Sequence, residues 1–383
     1  MSQPGHARIG LTSQELARYQ RHLLLPELGL PGQERLKAAR VLVVGAGGLG
    51  SPAALYLAAA GCGTLGLLDE DRVELSNLQR QILFEVGDVG AHKAQAGARR
   101  LQRLNDAIAV QSHPLRLEAG NVREVFAGYD LVLDGSDRLA TRYLVNDACV
   151  LLGKMLVTAA IHRFEGQLLS YVPGRGPCYR CLFPAAHTAA LPSCAQAGVL
   201  GVLPGVLGAL QATEALKLIT GIGAPLTGRL MTYDALELRF EEFRLARRGD
   251  CAVCGTHPTI TVPEDPTAMN EADGTGTIRR LSAPELKELL RAPPAAPPLI
   301  DVRQPYEFAA GHLAGSVNIP LDQLPQRIGE LRGHDAPVFI CRSGARSRAA
   351  CEFALRAQLA SPANLEGGLL AWAREVDPAL QVL

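Results

Sequence analysis

The segment that most restricts how this chain folds is Gly45-Ala46-Gly47-Gly48-Leu49-Gly50. It lies between a short β-branched run, Arg40 to Val44, and a stretch of small helix-forming residues, SPAALYLAAAG. Glycines at 45, 47 and 50 satisfy G-x-G-x-x-G, which serves a tight turn, close approach of backbone to phosphate, and packing of helix on strand. Pro52 falls in the first turn of the helix, where a missing N–H costs little. TLGLLDED then reads as a second strand. Strand, glycine turn, helix and strand in that order open a doubly wound α/β sheet. YDLVLDGSD reads as a further buried strand running to Asp137, MLVTAAI and GQLLSYV continue the series, and the helix PGVLGALQATEALKLITG closes on a glycine. Ahead of the sheet, LTSQELARYQRHLLLPELG reads as one capped amphipathic helix.

The glycine turn alone is compatible with more than one chemistry. Asp69 ends the second strand about 20 residues on, where a carboxylate accepts from ribose hydroxyls; on that fingerprint a NAD-dependent dehydrogenase is favoured. The next residues point elsewhere. Ser76-Asn77-Leu78-Gln79-Arg80-Gln81 places amides and a guanidinium just past the strand, and Lys93 follows in VGAHKAQA. Taken singly, Arg80 and Lys93 read as solvated surface charges. Together with the amides they suit a triphosphate that must be bent and neutralised. A non-catalytic scaffold with a degenerate nucleotide site is a third reading, and intact Asp69, Arg80, Lys93 and Asp137 argue against it.

With 383 residues the chain has room for two or three domains, and its formal net charge is zero. That balance excludes a general nucleic-acid or membrane-surface binder, which needs a basic excess. No run approaches ~18 uninterrupted apolar residues. MSQPGHARIGLTSQE lacks the basic and apolar regions of a signal peptide, so a cytoplasmic location is expected. In reducing surroundings, nine cysteines call for chemistry or metal. Cys178/Cys181 and Cys251/Cys254 form two C-x-x-C pairs, which together make a closed tetrahedral and therefore structural Zn2+ site. Cys62, Cys149 and Cys351 lie in apolar stretches and read as small core residues. Cys194 sits among small, polar and turn-forming neighbours, Leu191 to Gly198, which reads as a mobile crossover loop with an accessible thiol.

Residues 263–277 combine low hydrophobicity, two prolines and a string of acids, and read as a linker between a first domain, 1–262, and a second, 278–383. In the second, Ser282 and Glu285 form a capping box over a helix, and PLIDVR and PVFI are short buried strands. PVFI runs directly into Cys341-Arg342-Ser343-Gly344-Ala345-Arg346 and then a helix. Successive N–H groups in such a loop form an anion nest that favours a thiolate and then a persulfide on Cys341. Arg342 and Arg346 are placed to attract an anionic donor. A cysteine phosphatase also closes a Cys-led loop on an arginine, but with five intervening residues; here Cys341 and Arg346 leave four, a cradle for one sulfur.

The ordered set G-x-G-G-x-G, LLDxDxVxxSNLxRQ, VGxxK, LVxDxSD and GQ…PCYRC resembles the MoeB/ThiF class of adenylyltransferases, relatives of ubiquitin-activating enzymes, across nearly the whole first domain. The resemblance implies a Rossmann-like adenylation domain using ATP and Mg2+. By it, Gly48 approaches the phosphates, Asp69 holds the ribose, and Ser76, Asn77, Leu78, Gln79, Arg80 and Lys93 surround the triphosphate. It further implies that Asp137 ligates Mg2+ near the reacting α-phosphate. Arg138 stands where the family usually has Asn, which adds charge and length at a nucleotide or carrier contact. Arg21 matches an arginine that such homodimers insert into the neighbouring subunit's site, and Cys194 a cysteine that can accept the activated carrier. The second domain, with IDVRQPYEFAAGHLAGSVNIPL, resembles rhodanese; Asp301, Arg303, Glu307 and His312 match its scaffold, and Trp372 reads as core. Together the two imply activation of a ubiquitin-like sulfur-carrier protein with a C-terminal Gly-Gly tail. Sulfur would come from a donor such as thiosulfate or a cysteine desulfurase, in a pathway such as molybdenum cofactor biosynthesis.

Overall fold

The computed structural model describes residues 10–184, 198–264, 278–291, 297–332 and 336–382, and falls into two compact units either side of 265–277. Cys194 and most of the expected linker lie outside the described residues. Among the described residues no helix is long and apolar enough to cross a membrane.

The first unit is built on an eight-stranded sheet. Its strands are β1 (Arg40–Val44), β2 (Thr64–Leu68), β3 (Ala109–His113), β4 (Leu131–Asp134), β5 (Met155–His162), β6 (Glu165–Tyr171), β7 (Arg229–Asp234) and β8 (Arg239–Arg244), in the order β3-β2-β1-β4-β5-β6-β7-β8. The first five are mutually parallel and the rest antiparallel. Strand β1 shows why both faces must be covered. Val41 and Val43 enter one core with helix Gly50–Ala59 and helix Leu203–Thr220, while Leu42 and Val44 enter the other with helix Leu139–Leu151 and the four paired cysteines. A strand buried on both faces reads as a continuous apolar run.

Two sequence expectations are corrected here. Strand β4 stops at Asp134, so Asp137 lies three residues beyond it, because the Asp134 carboxylate accepts from the backbone N–H and the hydroxyl of Ser136 and turns the chain. The opening segment is three helices, Ser13–Arg18, Gln20–Leu23 and Gly29–Ala38, not one. The expected cap is present, with Thr12 and Glu15 bonding each other's backbone N–H. Pro26, having no N–H, falls in the irregular stretch before the third helix.

The second unit is a wholly parallel five-stranded sheet. Strands β9 (Arg279–Leu281), β10 (Leu299–Asp301), β11 (Val317–Asn318), β12 (Val338–Ile340) and β13 (Ala363–Leu365) are ordered β11-β10-β12-β13-β9. Val338 and Ile340 of the central strand face one core, which includes Trp372, and Phe339 faces the other, which includes Cys351. The Ser282–Glu285 capping box is formed as expected.

Candidate functional site

In the first unit β1 and β4 are neighbours although far apart in sequence, so a crevice opens beyond their carboxyl ends, where doubly wound sheets bind ligands. The glycine turn leaves β1 there. A side chain at Gly45, whose φ is +86°, would come within 3.0 Å of the Gly135 backbone, and one at Gly50 within 1.8 Å of the Gly45 carbonyl oxygen. These two glycines are demanded by packing, which lets the turn lie flat against the end of β4. Gly48 is backed by Pro204 and by the stem of Arg80.

Asp69, at the end of β2, braces this turn: its carboxylate accepts from Ala46 N at 2.8 Å and from Asp71 N at 2.9 Å. Burial pushes its pKa up, against the pull of Lys93 and the two backbone bonds. Lys93 is only 6% exposed, so it is no solvated surface charge; its ammonium donates to Asp71 at 3.0 Å. Ser76 and Asn77 lie in a short 3-10 turn that Asn77 caps by accepting from Glu74 N, and Arg80 bonds back to the Ser76 carbonyl at 3.1 Å. Leu78 is half-buried, and Gln79 packs against Gly201. Arg138 pairs with Glu70 at 2.7 Å, beside Asp69, and Asp137 is exposed at the mouth of the crevice. Arg21 is exposed on helix Gln20–Leu23, with no ion pair or hydrogen bond among the described residues.

Behind Asp137 stands a buried network that sequence reasoning missed. Asp134 is fully buried and accepts from Ser136 and from Thr158 Oγ1 at 2.9 Å. Arg142 donates to the Ser136 carbonyl at 2.9 Å, lies 3.5 Å from Asp134, and stands 5.9 Å from the Tyr179 ring centre. Only the spacing Asp134-x7-Arg142 hinted at this. Gln81, one of the amides read just past β2, is buried and lies under Gly47.

Tyr179 belongs to the knuckle between the first two cysteines. The sulfurs of Cys178, Cys181, Cys251 and Cys254 lie within 4.8 Å of one another, with Cys178 and Cys251 at 3.6 Å and Cys181 and Cys254 at 3.4 Å. With protons alone between them they compete: bonds to Cys181 and Cys251 push the Cys178 thiol up, and bonds from Cys178 and Cys181 pull Cys251 down. Four convergent, largely buried sulfurs, the ligand set of a closed tetrahedral site, fit Zn2+ held for structure.

In the second unit Cys341 follows β12 directly and is fully buried. Its sulfur accepts from Gly344 N at 3.1 Å and from Ser347 Oγ at 3.3 Å. The loop is shorter than expected, since the helix starts at Ala345 and places Arg346 in its first turn. Gly344 takes the left-handed conformation that launches this helix, and Ser343 is exposed. The carbonyls of Cys341 and Arg342 are taken up by the N–H groups of Leu369 and Leu370. Arg346 is engaged: it makes two bonds, 2.6 and 2.7 Å, to Glu307, while Arg342 is half-buried with no ion pair among the described residues. Burial would raise the Glu307 pKa, but Arg346 and the Gln304 N–H hold it below the usual range. Asp301 and Arg303 form a fully buried pair at 2.8 Å, whose guanidinium also bonds the Gly311 carbonyl. His312 is exposed and stacks on Phe308.

The ThiF family matches residues 19–253 and the Rhodanese-like domain residues 282–375. The chain is 43% identical to mouse "Adenylyltransferase and sulfurtransferase MOCS3", covering 97% of this chain and 88% of the mouse protein. It is equally similar, at 43%, to the "Probable adenylyltransferase/sulfurtransferase MoeZ" of Mycobacterium tuberculosis, covering 96% and 95%. A Thermus thermophilus "Sulfur carrier protein adenylyltransferase" is 54% identical over 65% of this chain and 94% of its own length. Among solved structures, Escherichia coli MccB with ATP superposes with a TM-score of 0.57 at 27% identity, over 63% of this chain and 75% of MccB.

Proposed function

That this chain belongs to the ThiF family, with a rhodanese-like domain behind its ThiF domain, is the premise from which we propose how it works. It is an adenylyltransferase and sulfurtransferase, which activates a sulfur-carrier protein by adenylation and transfers sulfur through its rhodanese domain. The finer assignments below are our reading. Residues 1–262 carry adenylation and 278–383 sulfur transfer, with 263–277 as linker, in a cytoplasmic homodimer.

A C-terminal carboxylate is a poor acyl donor because its leaving group would be hydroxide. When the carrier's terminal glycine carboxylate attacks the α-phosphorus of ATP, the bond to pyrophosphate breaks and an acyl-adenylate forms. The attacking group is already ionised, so no general base is needed, and the work is positioning and charge neutralisation. In this reading Asp69 holds the ribose, the glycine turn lets the phosphates approach the backbone at Gly48, and Asn77, Arg80 and Lys93 bind the triphosphate. Mg2+, when bound, supplies further neutralisation at the phosphates, and Asp137 is the residue that would hold it. Arg21 would reach the partner protomer's site.

The Cys341 thiolate takes sulfur from a donor such as thiosulfate. The persulfide's terminal sulfur then attacks the acyl carbon, AMP leaves, and an acyl disulfide remains, which a thiol, Cys194 in our reading, cleaves to release the thiocarboxylate. The resulting cysteine disulfide is reduced by cellular thiols. The observation that carries this reading is the Cys341 sulfur bonded by an N–H and a hydroxyl, the donors an anionic persulfide needs, in a chain that also holds the ATP-type crevice. The test is carrier-dependent exchange of pyrophosphate into ATP, then mass spectrometry of the carrier after adding thiosulfate. Exchange with a ubiquitin-like carrier, and replacement of one carboxylate oxygen by sulfur, are expected. No exchange with any such carrier would refute the reading. Separately, mixing Arg21→Ala with Lys93→Ala chains should restore activity through hybrid dimers.

A further inference from the structure

We propose that Arg142 is the residue that positions the Ser136–Asp137 loop, and that the knuckle from Cys178 to Phe183 sets where Arg142 stands; the proposal rests on the adenylation reading above. Asp137 is exposed and makes no hydrogen bond or ion pair among the described residues, so its place is decided by its neighbour. Ser136 is held on both sides: its N–H and hydroxyl go to Asp134, and its carbonyl accepts from Arg142 at 2.9 Å. Arg142 thus touches the peptide that leads into Asp137. A shift of its guanidinium moves the carboxylate one residue away.

Arg142 is held on one side by Asp134, 3.5 Å away, and on the other by the cysteine knuckle. Four positions on one face of helix Leu139–Leu151, at 142, 143, 146 and 147, are gripped by the knuckle. Arg142 lies against the Tyr179 ring, and Asn146 accepts from Tyr179 N at 2.8 Å. Asp147 takes two bonds from Arg180, at 2.7 and 2.6 Å, and the Arg180 guanidinium stands 4.5 Å over the Tyr143 ring. The Tyr143 hydroxyl donates to the Phe183 carbonyl at 2.8 Å. The Arg180–Asp147 pair is buried, and desolvation cancels much of such a pair's attraction, so it contributes more to geometry than to net stability. A knuckle that served only to gather sulfurs would have no use for it. Here it locks the two residues between Cys178 and Cys181 to the helix that begins beside Asp137, so the four-sulfur cluster and the loop form one rigid assembly.

The experiment uses the full-length chain and three substitutions, Arg142→Lys, Tyr179→Leu and Tyr179→Phe. Zinc content and melting temperature are measured first. The Mg2+ concentration for half-maximal pyrophosphate exchange is then compared with the affinity for Mg2+ in the presence of a non-hydrolysable ATP analogue, read by calorimetry without turnover. Misplacing a group at the reacting centre costs up to about 100-fold in rate. Arg142→Lys should approach that loss in kcat and raise the Mg2+ requirement about tenfold, with the KM for ATP little changed. Tyr179→Leu should act in the same direction by a smaller factor while zinc stays at the wild-type level, and Tyr179→Phe, which keeps the ring but loses the hydroxyl bonded to Arg142, should recover only part of the loss. If Arg142→Lys and Tyr179→Leu lower only the melting temperature, leaving Mg2+ affinity and kcat as in wild type, the link is packing alone and the proposal fails. A wild-type chain that bound no Mg2+ with the analogue would overturn the adenylation reading and this proposal with it.

Discussion

The two sites solve the same structural problem in opposite ways. Each lies beyond the carboxyl end of a parallel strand, and each unit ends a neighbouring strand on a fully buried aspartate paired with an arginine: Asp134 with Arg142, Asp301 with Arg303. In the first unit the residue assigned to chemistry, Asp137, is exposed, three positions past the buried carboxylate. In the second the cysteine proposed to carry sulfur, Cys341, is itself buried at the strand's end, its sulfur bonded by Gly344 and Ser347. A site for a triphosphate and a protein tail must present its groups on an open loop and brace that loop from behind. A site for a single sulfur atom can be closed around it.

If that contrast is right, the two chemistries should fail independently. The largest effect is expected for Cys341→Ser: sulfur transfer from thiosulfate to cyanide falls to background, while carrier-dependent pyrophosphate exchange is untouched. Loss of exchange as well would break the comparison. Asp137→Ala should do the reverse, lowering exchange by about 100- to 1,000-fold, the range for removing one preorganised electrostatic group, with sulfurtransferase activity intact.

Next come the buried braces. Asp301→Ala leaves Arg303 charged and unpaired in the core and should destabilise the second unit by about 3–5 kcal/mol, read from its melting transition. A smaller change would mean that Arg303 finds water, and that this brace is less closed than its counterpart. The smallest effect is expected for Glu307. Because its folded pKa is depressed, the Arg346 pair stabilises at neutral pH, and that contribution is lost as pH falls through the folded pKa. Glu307→Gln, which keeps an acceptor oxygen for Arg346, should cost about 1.5–3 kcal/mol at neutral pH and nothing in acid, so the two melting curves should converge as pH falls.

Much of this was readable from residue order. The glycine turn, the two C-x-x-C pairs, the Ser282 cap and the Cys341 loop are local patterns in which a few neighbouring residues determine the geometry. What escaped was long-range or depended on which of two like residues is buried. YDLVLDGSD offers three aspartates, and nothing in the string says that Asp134 turns inward while Asp137 turns out; Thr158 and Arg142, which decide it, lie on other elements. Arg346 reads as a cation free to meet an anion until Glu307, on another helix, takes both of its bonds. Lys93 likewise looks like a surface charge until burial next to Asp71 is known.

The capture of the Cys341 and Arg342 carbonyls by Leu369 and Leu370 has a consequence for what this loop can tolerate. Across a trans peptide, C=O and the following N–H point in opposite directions. Fixing two carbonyls toward helix Gly368–Glu375 therefore turns the N–H groups of Arg342 and Ser343 the other way, whatever their side chains are. The polarity of the loop is written in main-chain orientation and anchored from a distant helix. The sulfur's own donors, the Gly344 N–H and the Ser347 hydroxyl, are likewise independent of the side chains at 342 and 343, so substitutions there can change what meets the proposed persulfide without dismantling its seat.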